Sequence, residues 1–223
     1  LVTHLKKTED YIINKISEFE IILIDNNSND GSKEYIENYQ SSNIIKIFNK
    51  KNIGKGGSTK IGINQSRGEY IIIHDIDGEY KIADCFICLE KAISTNSNLV
   101  IGSRVFKKNF IYRANFLGVI FLTKIINFLF KGNLTDAASM PKLIEKKFIK
   151  KINLVSNGFD LDFELITKSL RLNALISQVN VNYLPRSLEQ GKKIRAIRDG
   201  SICLLRIIKD RLITKKMILL KKN

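Results

Sequence analysis

Short apolar runs alternate with polar clusters along the first hundred residues. The apolar runs predict four strands, at residues 21–24, 44–48, 70–73 and 99–101. The segments between them predict four helices, at residues 6–16, 32–39, 58–66 and 83–94. Strands that alternate with helices form βαβ units, and strands rich in Ile, Val and Leu are buried on both faces. We therefore expect an α/β fold with a mostly parallel central sheet flanked by helices.

The rest of the chain is less regular. Residues 110–130 are the most apolar stretch, but Arg113 and Lys124 interrupt it. Because a membrane span needs ~20 mostly apolar residues, we expect no transmembrane helix. A further helix is predicted beyond residue 157 and a strand at 178–183. An open α/β sheet normally begins with a strand that carries binding residues, whereas here a helix is predicted almost at once. We therefore expect the first strand to be truncated or degenerate.

Composition narrows the class of protein. The 223 residues suit one domain, and the net charge of +15 indicates an anionic partner such as a phosphorylated substrate, an anionic membrane or nucleic acid. Cys85 and Cys88 have the C-x-x-C spacing, but no second pair or nearby His completes a zinc set. We interpret them as small buried side chains. The absence of a disulfide framework suits a reducing compartment.

Polar clusters follow three of the predicted strands, and ligands of such sheets bind at the carboxyl ends of strands. Asp75 and Asp77 form a D-x-D motif directly after an apolar run. Two carboxylates in this arrangement can share one hard cation with diphosphate oxygens, and Glu79 can supply a further oxygen. The predicted metal ligands are Asp75, Asp77 and Glu79.

The two earlier clusters carry candidate nucleotide-binding groups. Asp25 can accept hydrogen bonds from a nucleobase edge, and residues 30–31 predict a turn. Residues 52–57 are glycine-rich, open a helix and suit a phosphate cradle without the Walker A spacing. For each loop, an ordinary connection before a helix is the alternative. The candidate residues are Asp25, Asn26, Ser28, Asp30, Asn52, Gly54, Lys55 and Asp75.

These segments together resemble family 2 glycosyltransferases, specifically the dolichyl- or undecaprenyl-phosphate hexose synthases, over about residues 21–200. Residues 24–32 look like the V-D-D-x-S-x-D-G-T loop of that family, with Asn26 at the second acid. Residues 52–60 are similar to its N-x-G-K-G-x-A-x-R stretch, and residues 74–80 to its D-A-D-x-E-Y motif. Residues 101–104 look like its G-S-R, in which the Arg lies near the acceptor phosphate.

The resemblance continues through the second half. Residues 134–142 resemble a T-D-x-x-(S/T)-x-x-K segment with an altered middle, and residues 158–164 resemble G-F-D-F-D-x-E. Residues 183–200 look like a Y-x-x-R…E-G-K-K-I…D-G ending in which Gln190 is inserted. Each motif is weak alone, and it is the seven in the family's order that identify it.

The resemblance implies a GT-A, Rossmann-like fold and inverting transfer of a hexose from UDP-glucose or GDP-mannose to a polyprenyl phosphate, with Mg²⁺ or Mn²⁺. A metal at Asp75 and Asp77 neutralises charge on the departing diphosphate, which Arg186 and Lys192 can clamp. An acceptor phosphate with a second pKa of ~6 is largely ionised at neutral pH and needs little from a general base. The implied catalytic residues are Asp77, Arg104, Glu164, Arg186 and Lys192. The implied acceptor-phosphate residues are Arg104 and Arg113.

Two segments suit a membrane surface. In residues 110–131 the polar side chains fall near one helical seam, which predicts an interfacial amphipathic helix or, equally, a helix packed on the sheet. Residues 195–222 carry Lys and Arg among Ile and Leu, and each such charge contributes about 1 kcal/mol on anionic lipid. We expect a GT-A catalytic domain at residues 1–200 and a basic amphipathic helix at 201–223. We expect the protein to be peripheral at the cytoplasmic face of a membrane, with a membrane-anchoring partner subunit as one means of attachment.

Three other functions stay open. A family 2 transferase that acts on a glycan or another acceptor needs the same nucleotide site but no acceptor-phosphate cluster. A degenerate, inactive homologue is compatible with Asn26, the altered segment 137–141 and the first strand. A basic nucleic-acid-binding protein is disfavoured, because no RNA-binding signature is present and the aromatic residues lie in apolar runs.

Overall fold

The structure, a computed structural model, describes residues 2–104, 113–184 and 196–220. Its strands are β1 (Ile21–Asp25), β2 (Ile44–Phe48), β3 (Tyr70–Ile73), β4 (Leu99–Arg104), β5 (Lys142–Glu145) and β6 (Ile176–Val181). Its helices are α1 (Val2–Ile13), α2 (Ser32–Asn38), α3 (Gly54–Gln65), α4 (Ala83–Thr95), α5 (Arg113–Phe130), α6 (Lys146–Ile149), α7 (Leu161–Arg171), α8 (Ala196–Leu212) and α9 (Lys215–Ile218).

The strands form two sheets. Strands β1 and β2 pair in parallel, from Ile21 opposite Ile44 to Asp25 opposite Phe48. The second sheet has the order β3-β5-β4-β6, in which β5 is antiparallel to both neighbours and β4 is parallel to β6. Strands β3, β4 and β6 therefore share one direction. The predicted α/β fold with mostly parallel strands is confirmed, but within the described residues the expected single sheet is divided in two.

Helices cover both faces of the larger sheet. On one face α5, α7 and α8 pack over β4 and β5 around fully buried side chains such as Leu99, Ile126 and Ile166. On the other face α4 places Cys88 against Val100. The cysteines Cys85, Cys88 and Cys203 are buried and free, which agrees with their interpretation as core side chains.

The predicted domain boundary at residue 200 falls inside α8. Cys203 and Ile207 of this helix are buried in the main core, and Thr167 of α7 donates a hydrogen bond to Asp210 at 2.6 Å. The first part of the segment 201–223 is therefore part of the catalytic domain rather than a separate basic helix. None of the helices in the described ranges has the length and apolar character needed to cross a membrane.

Helix α3 begins inside the glycine-rich segment, four residues earlier than predicted. A Cβ atom on Gly54 would lie 2.2 Å from the Asn157 carbonyl oxygen, and one on Gly56 would lie 2.8 Å from the Gly158 oxygen. Gly57 N–H donates to the Asn157 carbonyl oxygen at 3.1 Å. These glycines let the start of α3 pack directly on the backbone that leads into α7.

We predict that Gly56→Ala lowers the free energy of unfolding by about 2 kcal/mol, because the new methyl group meets backbone atoms that cannot turn away. The matched control is Gly118→Ala in α5, where a Cβ would have no neighbour within 4 Å. There we expect a gain of up to about 1 kcal/mol from helix propensity. Urea unfolding of both variants measures the effect, and equal stabilities would contradict the packing argument.

Candidate active site

A cavity of about 1530 Å³ opens at the carboxyl ends of β1 and β3. The polar residues that line it come from six separate segments and include Asn26, Asn52, Gly54, Lys55, Asp75, Asp77, Glu79, Arg104, Asp162 and Asp199. Its apolar wall includes Phe116, Val119 and Leu122 of α5. The cavity therefore joins a charged mouth to an apolar helix face.

Four charged side chains form a continuous row in this region. Lys55 Nζ lies 2.8 Å from Asp75 Oδ2 and 3.6 Å from Asp162 Oδ2. Lys142 Nζ lies 3.0 Å from Asp162 Oδ1 and donates to the Ser139 carbonyl oxygen at 2.7 Å. Because the Lys142 side chain is fully buried, its charge depends on Asp162 for compensation.

The pKa values follow from burial and from the neighbouring charges. Burial disfavours the Lys55 ammonium, but Asp162 and Asp75 outweigh it and raise the pKa of Lys55. Burial also acts against the Asp162 carboxylate, yet Lys142 and Lys55 prevail and lower the pKa of Asp162. At Lys142 burial prevails, and its pKa is lowered despite Asp162. Lys55 and Asp162 are thus both charged at neutral pH.

The D-x-D acids follow β3 as predicted and line the cavity. Asp75 is bound to Lys55, and Asp77 Oδ1 accepts the Glu79 N–H at 3.0 Å. No three His, Cys, Asp or Glu side chains converge as a metal site in the ranges that the structure describes. The predicted set of three carboxylate ligands is therefore not assembled, although all three residues face the same cavity.

Asn26 connects the first two loops. Its Oδ1 accepts hydrogen bonds from Asn49 Nδ2 at 3.1 Å and from Ile53 N–H at 3.0 Å, and its Nδ2 donates to Asn52 Oδ1 at 2.9 Å. Asn52 Oδ1 also accepts the Gly54 N–H at 2.9 Å. An aspartate cannot donate a hydrogen bond when ionised, so the network explains why an amide stands at this position.

The other predicted residues of the first loop have local roles. Asp25 is buried, and its carboxylate accepts the Ser28 N–H at 3.1 Å. Asp30 accepts the Ser32 N–H at 3.1 Å, next to the start of α2. None of these three side chains lines the cavity. In place of the predicted nucleobase contact, Asp25 closes its own loop.

We predict that Asn26→Asp lowers the free energy of unfolding by about 1 kcal/mol, because the hydrogen bond to Asn52 loses its donor. The control is Asn180→Asp on β6, where the side chain is exposed and little change is expected. Urea unfolding at neutral pH compares the two variants. Equal losses at both positions would show that the loop network contributes nothing.

Residues 2–152 match the family model described as Glycosyl transferase family 2, which covers more than half of the chain. The chain belongs to this family.

Two curated relatives of this family 2 chain illustrate its similarity. A dolichyl-phosphate beta-glucosyltransferase of Dictyostelium discoideum is 32% identical over 182 residues, which are 74% of this chain and 55% of that protein. A cholesterol galactosyltransferase of Borreliella burgdorferi is 36% identical over 93 residues, which are 41% of this chain and 26% of that protein. The chain thus spans about half or less of the length of these two relatives.

Solved structures show the same fold. Glucosyl-3-phosphoglycerate synthase from Mycobacterium tuberculosis, in complex with Mn²⁺, UDP and phosphoglyceric acid, superposes with a TM-score of 0.69 at 14% identity. The match covers 95% of this chain and 74% of that chain. At this identity the likeness establishes the GT-A fold alone.

Within this family 2 chain, Glu164 is not at the cavity. It is fully buried, accepts the N–H groups of Val155 at 2.9 Å and Ser156 at 2.8 Å, and pairs with Lys168. Asp162 faces the cavity instead. Helix residues turn by about 100° each, so positions 162 and 164 point about 200° apart. Glu164 is therefore a structural residue, and Asp162 is the site residue that the motif assignment missed.

The predicted arginines and lysine have different standings. Arg104 lines the cavity, but its Nε and NH2 atoms bind the two oxygens of Asp136 at 2.6 and 2.9 Å. The same guanidinium lies 5.2 Å from the centre of the Tyr183 ring. Arg104 is thus anchored by a two-point ion pair. Arg113 begins α5 with its side chain outside the described part, and Arg186 and Lys192 lie outside the described residues.

Proposed function

We propose that the chain is an inverting, metal-dependent hexosyltransferase that transfers sugar from a nucleotide diphosphate to a polyprenyl phosphate. The observation that carries this proposal is the cavity, which joins the D-x-D acids and Lys55 to an apolar face of α5. A nucleotide sugar needs the charged part, and a prenyl chain needs the apolar part. The names of the dolichyl-phosphate relatives support the same acceptor.

The donor side is built from oxygen ligands and a cation. Asp75 and Asp77 offer carboxylate oxygens suited to Mg²⁺ or Mn²⁺, and two protein ligands leave positions for diphosphate oxygens and water. The metal supplies charge stabilisation for the departing diphosphate. Lys55, held at the start of α3 by Asp162, is placed to bind a diphosphate oxygen. UDP-glucose and GDP-mannose are the donors that we propose to compare.

The acceptor side needs positioning rather than a base. A phosphate monoester is already ionised at neutral pH, so attack on the sugar requires no proton removal. Burial lowers the pKa of His74, the histidine at the cavity. His74 is therefore neutral at pH 7, and we assign it no part in the transfer. We propose Arg104 and Arg113 as contacts of the acceptor phosphate.

We also propose that the protein binds the cytoplasmic face of an anionic membrane. Leu117, Phe121 and Phe128 are exposed on α5, and Leu205 and Leu212 are exposed on α8. Lys124, Lys209 and Arg211 provide basic charge on the same two helices. Sedimentation with vesicles of anionic lipid, but not of neutral lipid, is the expected result. Failure to bind either vesicle would require a membrane-anchoring partner subunit instead.

Transfer of labelled sugar tests the reaction directly. The chain is incubated with UDP-glucose or GDP-mannose, a polyprenyl phosphate, and Mg²⁺, Mn²⁺ or a chelator. A lipid-extractable product that requires metal and is lost in Asp77→Ala, but not in a Glu90→Ala control at an exposed position, supports the proposal. Product formed only with a soluble glycan or phosphorylated acceptor would assign a different acceptor. Donor binding without product in any arm would indicate an inactive homologue.

A further inference from the structure

The inner edge of β1 carries main-chain groups with no strand beside them. Ile21 N–H donates to the Asn43 carbonyl oxygen, and Asn49 N–H donates to that of Asp25. In a parallel pair alternate residues bond to the same side, so the N–H and C=O groups of Ile22 and Ile24 point away from β2. Among the residues that the structure describes, β2 is the sole strand paired with β1.

Strand β3 has an equivalent edge. Lys146 N–H donates to the Glu69 carbonyl oxygen at 2.8 Å, so residues 69, 71 and 73 bond to β5. The main-chain groups of Tyr70 and Ile72 therefore point the other way. Within the described part of the chain, β5 is the one strand that pairs with β3. Residues 21–24 and 70–73 all line the same cavity, so the two edges face a common groove.

Contacts at both ends of the groove fix the strand directions. Glu20, just before β1, accepts the N–H groups of Arg67 and Gly68, just before β3. At the opposite end, Asn26 and Asp75 line the mouth of the cavity. Strands β1 and β3 therefore run in the same direction on either side of the groove.

Helix α1 supplies the return connection for such a strand. A Cβ atom on Gly78 would lie 2.9 Å from the His4 ring, which places the start of α1 at the carboxyl end of β3. The chain then descends, with Leu5 and Ile12 lining the groove, and enters β1 at its amino end. This is the second half of a βαβ unit, whose first half would be a strand that ends beside the start of α1.

We propose that this groove is the binding site for a further β-strand, formed by polypeptide joined to the amino end of α1 and running parallel to β1 and β3. The strand has about five residues, the length of β1. It is apolar on both faces, because Ile and Leu line the groove. Its insertion gives one sheet of order β2-β1-new strand-β3-β5-β4-β6 and satisfies both edges.

Three proteins test this inference. The first is the chain as it is. The second carries, ahead of Leu1, about five alternating Ile and Val residues and a linker of about four Gly and Ser residues. The third has the same extension with Pro at two strand positions, which removes ladder donors. Hydrogen exchange is followed at the amides of Ile22, Ile24, Tyr70 and Ile72, together with thermal unfolding.

The apolar extension is expected to slow exchange at these amides at least about tenfold and to raise Tm by about 10 °C, whereas the proline extension leaves both unchanged. Equal effects of the two extensions, or none from either, would overturn the proposal. Full protection by the same peptide added as a separate molecule would overturn the requirement for a covalent link. Protection of the unextended chain that grows with protein concentration would assign the groove to a second copy.

Discussion

The Asp162→Asn variant is expected to lose about 3 kcal/mol of unfolding free energy and to transfer sugar at least about a hundredfold more slowly. Asp162 lies between a fully buried Lys142 and the cavity-lining Lys55. Its removal leaves the Lys142 charge without its carboxylate in a site that water does not reach. It also frees Lys55 from one of the two acids that fix its position. Urea unfolding and the transfer assay measure the two effects separately.

A second substitution separates stability from activity. In Asp162→Asn/Lys142→Met, the uncompensated buried charge is gone, so we expect most of the lost stability to return. Activity should stay low, because Lys55 still lacks its acid partner. Recovery of activity together with stability would show that Asp162 acts only as the counter-ion of Lys142. Such a result would remove Lys55 positioning from the mechanism.

The strands of the first hundred residues could be predicted from the sequence, because unbroken apolar runs such as 44–48 and 70–73 have few other interpretations. Strand β5 was not predicted. It begins with Lys142, and a buried lysine interrupts the apolar pattern by which strands are recognised. Only the three-dimensional contact with Asp162 makes that lysine compatible with a central strand. The gap between the sheets is also invisible in the pattern, since it depends on which strands pair.

The candidate site was predictable where it depends on strand ends. Asn26, Asn52, Lys55, Asp75 and Asp77 meet because parallel strands bring their carboxyl ends together. The errors arose where side-chain direction decides. Asp25 lies on the same buried face of β1 as Leu23, two residues earlier, whereas Asn26 faces the cavity. Periodicity applied inside the motif, rather than to whole elements, would have predicted that Asp25 turns inward.

The Glu164→Gln variant is expected to lose about 3 kcal/mol of unfolding free energy because it leaves Lys168 buried without a carboxylate. Both side chains are almost completely buried, and Glu164 also accepts two backbone N–H groups. In contrast to Asp162, Glu164 does not reach the cavity. The folded variant should therefore transfer sugar within about threefold of the unmodified chain. A larger loss of activity at a temperature where the variant is folded would return Glu164 to the catalytic residues.

Acid titration gives this pair a distinct signature. Burial acts against the Glu164 carboxylate, but Lys168 and the backbone donors outweigh it and hold the pKa of Glu164 below its ordinary value of 4.5. A carboxylate with a lowered pKa adds stability above its unfolded pKa, and this contribution is lost as pH falls through the folded pKa. Glutamine does not titrate, so the stability gap between the two proteins is full above pH 4.5 and narrows below it. A gap independent of pH would mean that the carboxylate charge does not carry the interaction, and Glu164→Gln/Lys168→Met would then show no recovery.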